Sequence, residues 1–255
     1  RCLLKNQKAP DTHDESMELE KSLVWQRNRN IARELCLELS DLAEKLDSVN
    51  MALIMRSVAV FGLKFSVDEG RNLCRRALAL NGVVGGGDRR GKGRGENKMG
   101  GFDDKGLIWV IGGLIASGIC LEDMNKDHVS IHGNVVEVLC EELRGRVNNL
   151  PGDLLAEAFV AVAVGGAAPV WNALDVIDIV GTTKMELPIS RQGSKAASCR
   201  KELLSLLLEA HSTWTQRAED AQPLADMVCA CALSKETCGA EELMQDQRVV
   251  LMLQD

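Results

Sequence analysis

The eleven residues LAEAFVAVAVG, Leu155 to Gly165, return with little change as LADMVCACALS at Leu224 to Ser234. Two further stretches fit the same frame, ALIMRSVAVFG at Ala52–Gly62 and IWVIGGLIASG at Ile108–Gly118. Each is apolar almost throughout and closes on Gly or Ser. The ninth position is Val60, Ala116, Ala163 or Ala232, small or β-branched every time. A segment written four times asks for four equivalent places in one core, so internal repetition is the strongest constraint on the fold.

A second pattern precedes these copies. ELCLEL (Glu34–Leu39), NLCRRAL (Asn72–Leu78) and VLCEEL (Val138–Leu143) share Leu-Cys followed by Leu or Ala, with ELLSLLLEA (Glu202–Ala210) as a looser member. In the first, Ile31, Leu35, Leu39, Leu42 and Leu46 recur every three or four residues. Glu34, Glu38, Asp41 and Lys45 fall between them, as on an amphipathic helix. Ser66 and Glu69 have the spacing of a capping box and predict a helix running to Leu80. Pro151, Pro169 and Pro223 stand where helices are expected to begin, since the missing N–H costs little there.

The apolar copies could instead be buried strands, FVAVAV and VCACAL above all. Their alanine content and helical neighbours favour helix. So does a composition with 3% aromatic residues and no Tyr, because strands are enriched in aromatics. The expected fold is therefore all-α. About four helical hairpins, each an amphipathic outer helix followed by an apolar inner one, stack into an α-solenoid. A last helix near Glu241–Leu253 is expected to close the stack. Residues 1–29 read as an N-terminal extension with partial helix and 30–255 as the helical-repeat domain. Two flexible insertions interrupt it, at 81–104 and 181–199, as such stacks tolerate.

Few motifs carry chemistry. GGDRRGKG resembles the start of a phosphate-binding loop through Gly86, Gly91 and Lys92, but Gly93 stands where magnesium needs Ser or Thr. His128 and His132 have the spacing of a helical metal pair, yet Gly133 follows and no Glu-bearing motif surrounds them. Cys229, Cys231 and Cys238 cluster without a chelating C-x-x-C pair, and read as core packing. The nine cysteines, odd in number and set in apolar patterns, suit a reducing compartment. No catalytic constellation, metal site or cofactor site is expected, and no small-molecule substrate. GLIWVIGGLIASGICL carries four glycines and is shorter than the roughly 20 residues of a membrane span. No span is expected.

The net charge of −7 excludes a surface that is basic throughout. A local basic cluster does exist: Arg75, Arg76, Arg89, Arg90, Lys92, Arg94 and Lys98, in or just before the glycine-rich insertion. Flexible Arg/Gly segments can follow a phosphate backbone, so these are the candidate RNA-binding residues. A solvated linker or a contact with an acidic protein surface is the alternative.

Paired helices with inner copies such as LAEAFVAVAVG and ALIMRSVAVFG resemble the repeats of organellar octotricopeptide and RAP-associated heptatricopeptide proteins. The resemblance spans Asn30 to Leu233 and rests on helix texture and spacing, including the 38 residues between Leu35 and Leu73. It implies a mitochondrial matrix protein, or a plastid one, without catalytic activity. The implied role is a scaffold subunit of a large mitochondrial ribonucleoprotein, the mitochondrial ribosome first among these, touching neighbouring proteins and rRNA. The alternative is a protein–protein scaffold or accessory subunit of an organellar respiratory or ATP synthase complex.

Overall fold

The computed structural model describes residues 12–65, 67–82, 101–118, 135–165, 194–214, 226–228 and 230–231. The helices are α1 (Thr12–Asp41), α2 (Ser48–Phe61), α3 (Val67–Leu80), α4 (Asp104–Ser117), α5 (Val135–Arg144), α6 (Gly152–Val164) and α7 (Ser194–Trp214). Short 3-10 turns at Ala43–Lys45 and Val147–Asn149 follow α1 and α5. No strand occurs among the described residues, and the stretch from Ala158 to Val164, the rival strand, lies inside α6. Val228, Ala230 and Cys231 of the fourth copy are helical as well. The fold is all-α.

Local signals explain the boundaries. Asp47 and Asp103 precede α2 and α4 with extended backbone, and their carboxylates accept from the Asn50 and Gly106 N–H groups, each at 2.7 Å. Pro151 stands at the N-cap of α6, and α3 ends at Leu80. The Gly that closes each of the first three apolar copies is the left-handed cap of its helix: Gly62, Gly118 and Gly165 have φ of 56°, 72° and 69°. α1 runs unbroken across the expected division at residue 30, and α7 begins at Ser194, inside the second expected insertion, where Lys195, Ala196 and Ala197 are good helix formers. Pro169, Pro223, Ser66, His128, His132, Cys229, Cys238 and residues 241–253 lie outside the described residues.

Three of the apolar copies, α2, α4 and α6, form one row. α4 packs against α2 on one side and α6 on the other, while α5 lies on α4 and α7 lies on α6 and α5. α1 and α3 pack on each other and on α2. α4 is buried from Gly106 to Ser117 apart from the half-buried Trp109. Removing each such Leu or Ile side chain from water contributes about 1.5–3 kcal/mol. Small residues set the spacing. A Cβ at Gly113 would run into the Met55 carbonyl and stand 2.7 Å from the Met55 Cβ, and one at Gly165 would stand 2.8 Å from Ile115 Cγ2.

The three inner helices point the same way. Gly106 near the start of α4 faces Ala52 near the start of α2, and Gly165 at the end of α6 faces Ala116 at the end of α4. Parallel helices gather their partial negative ends on one side, which is unfavourable unless cations sit there. Each C-terminus has one. Arg29 of α1 donates to Gly62 O at 3.3 Å, and Lys64 donates to Ala116 O at 2.6 Å. Arg200 of α7, fully buried, donates to Val162 O and Ala163 O, both at 2.9 Å. Arg146 ties the other side together. It donates to Phe102 O at 2.9 Å and pairs with Asp104 at 3.0 Å and Glu142 at 2.8 Å. Partial burial pulls its pKa down, but the hydrogen bonds to Glu142 and Asp104 outweigh this and raise it.

Candidate interaction surface

Arg75 and Arg76 belong to the last half of α3. Together with Ser40, Asp41, Glu44 and Asn72 they line a shallow cleft of about 260 Å³. Arg75 is exposed. Arg76 is half-buried and donates to the Leu46 carbonyl through Nε at 2.7 Å and through Nη2, satisfying the carbonyl that follows the first 3-10 turn. Its guanidinium thus joins α3 to the end of the α1 segment, and the two arginines share their cleft with two acids. Arg89, Arg90, Lys92, Arg94 and Lys98 lie outside the described residues.

A larger concavity lies between α1 and α2. It is a groove of about 670 Å³ whose walls include Ile31, Leu35 and Leu39 of α1 and Leu53, Ile54 and Phe61 of α2. Two pieces of local structure hold it open. Trp25 stacks on Phe61 with ring centroids 5.0 Å apart, fixing α1 against the end of α2. At the other end the turn at Ala43–Lys45 buries Ala43, and Leu46 is buried behind it. Between these ties apolar side chains are left in solvent. Ile31, Leu35 and Leu53 are 46%, 52% and 46% exposed.

The exposure is confined to this end. Among the described residues every exposed large apolar side chain belongs to α1, to α2 or to Leu42 between them. The rest of the described surface has no such residue, so the groove is a patch and not scatter. Three polar groups, Asn28, Asn50 and Ser57, stand among the apolar walls. Glu34, Glu38 and Asp41 form an exposed acidic stripe along α1 beside Ile31 and Leu35.

The groove walls offer apolar surface with few polar groups. Cys36 on the groove floor is pushed up to about 11 by burial and stays a thiol at neutral pH. Elsewhere, a hydrogen bond to Cys199 and then burial raise Cys140 well above the ordinary thiol value. The described residues hold no cluster of His, Cys, Asp and Glu that could bind a metal, and no described helix is long and apolar enough to cross a membrane. Sequence reasoning put Ile31, Leu35 and Leu42 on the apolar stripe of an amphipathic outer helix. The available signal was the run Leu23, Val24 and Trp25, three consecutive apolar residues that one helix face cannot bury together.

Compared with protein-family models, curated proteins and solved structures, the chain matches none.

Proposed function

We propose that the protein is a non-catalytic helical-repeat scaffold, an α-solenoid of about four stacked hairpins, within a large mitochondrial ribonucleoprotein. The ribosome is the particle this reading favours. The observation that carries it is the parallel row α2–α4–α6, whose members share an apolar body, a left-handed closing glycine and a basic side chain on the final carbonyls. A device used three times in one row builds extended surface, the working part of a scaffold. In this reading Arg75, Arg89, Arg90, Lys92, Arg94 and Lys98 meet rRNA, while Arg76 holds α3 in place.

Purification of the tagged chain from mitochondria tests the assignment. Co-purifying rRNA and ribosomal proteins are expected, and their absence would remove it. In a second measurement, changing Arg89, Arg90, Lys92, Arg94 and Lys98 to Ser should weaken binding to RNA and flatten its salt dependence. Unchanged binding would take RNA away from this segment.

One observation favours a second reading, an accessory scaffold subunit of a respiratory or ATP synthase complex. The groove between α1 and α2 is apolar on a chain of net charge −7, which suits protein contact. Respiratory or proton-translocating subunits in the purified material would select it.

A further inference from the structure

The groove has a definite place in the row of helices. α2 meets α4 through Ala52 and Met55. At about 100° per residue, Asn50, Leu53, Ser57 and Phe61 lie on roughly the opposite side of α2, and that side lines the groove. Among the described residues of the fourth copy, Met227, Ala230 and Cys231 are helical and lie in the core. The α2 end leaves Leu53 half in water and offers the face that another inner helix would cover. The outer side of α1 is polar at Glu34, Glu38 and Asp41, as the end unit of a stack should be, but the groove between α1 and α2 is walled by apolar residues.

We infer that the groove seats an amphipathic α-helix of a partner protein, laid beside α2 as the next member of the α2–α4–α6 row. Continuity with that packing sets the occupant's conformation. The two apolar ridges, Ile31–Leu35–Leu39 on α1 and Leu53–Phe61 on α2, receive one apolar stripe at helical spacing. Charge sets its edge. Glu34, Glu38 and Asp41 run along the exposed border of the α1 ridge, so the occupant carries Lys or Arg on the side that meets them. The inference rests on the scaffold reading for the existence of a partner, and on geometry alone for its kind.

The test uses the full chain and two synthetic amphipathic peptides that share one leucine stripe, one edged with Lys and the other with Glu. Fluorescence anisotropy should show the Lys-edged peptide binding more tightly, by about fivefold at low salt. Leu35→Glu with Leu53→Glu should weaken both peptides by at least about tenfold. Glu34→Lys with Glu38→Lys, at exposed positions that do not threaten folding, should reverse the preference. Equal affinity for the two peptides, or binding indifferent to the Leu35 and Leu53 changes, would overturn the inference.

Two other occupants give their own signatures, and each overturns it too. A dimer seen by light scattering and split by the Leu35 and Leu53 changes would mean a second copy fills the groove. Peptide binding that appears only after removal of residues 1–11 would mean the chain fills its own groove. Failure of the scaffold reading looks different: the peptides bind as described, yet the tagged chain brings down no assembly from mitochondria.

Discussion

His211 lies in the last turn of α7 with its side chain wholly buried. Burial disfavours the imidazolium and lowers its pKa below the ordinary 6.5. A base whose folded value is depressed takes up its proton first in the unfolded chain, so the folded state loses ground as pH drops below 6.5. Above that value the group is neutral in both states and contributes no pH dependence. The thermal midpoint of the wild-type chain should therefore fall further between about pH 7.5 and about pH 5.5 than that of His211→Gln. Parallel profiles for the two proteins would show that His211 is protonated equally in both states. The sequence places His211 after a Leu-rich run but does not show its full burial, because α7 packs on α6 and α5, which are distant in the chain. Cys36 is a similar case. An apolar pattern marks it as a small hydrophobe, and only the fold sets it on a groove floor with a pKa raised to about 11.

Among the elements, the closing glycines were the most legible feature. Gly62, Gly118 and Gly165 end the recurring apolar copies, and each takes the left-handed conformation that a helix stop requires. The cations that complete those stops were not legible. Arg29, Lys64 and Arg200 reach their carbonyls across 33, 52 and 38 positions of sequence, so no local pattern connects them. Their need comes from the parallel arrangement of α2, α4 and α6, which periodicity does not reveal. Arg200 is the strongest of the three, being buried and bonded to two carbonyls. Arg200→Leu should lower unfolding free energy in urea by about 3 kcal/mol, since two buried acceptors lose a charged donor. Arg29→Leu should cost less than about 1 kcal/mol, because its single bond is long and only partly buried. Equal losses for the two variants would show that the cations do not act through these carbonyls.

At the scale of the molecule, burial is graded along the chain. α4 is enclosed by α2, α5 and α6, whereas α1 packs chiefly on α2 and α3 and leaves Ile31 and Leu35 half in water. The apolar stripe of α1 was readable from its three- and four-residue spacing. What covers that stripe was not, because periodicity says a helix has an apolar face and nothing about its neighbour. Opening of α1 requires separation from two helices, while opening of α4 disrupts the whole row, so local stability should rise from α1 to α4. Hydrogen exchange read by mass spectrometry should find amides of α4 exchanging roughly a hundredfold more slowly than those of α1. A groove-filling helix changes this gradient selectively. The Lys-edged peptide should slow exchange in α1 and α2 while leaving α7 unaltered, because it buries Ile31, Leu35 and Leu53 and touches nothing on α6. Uniform slowing of every helix would mean that the peptide stabilises the fold without choosing the groove. If α1 already exchanged as slowly as α4, its stripe would be covered in the free protein, and the end of the row would not be open.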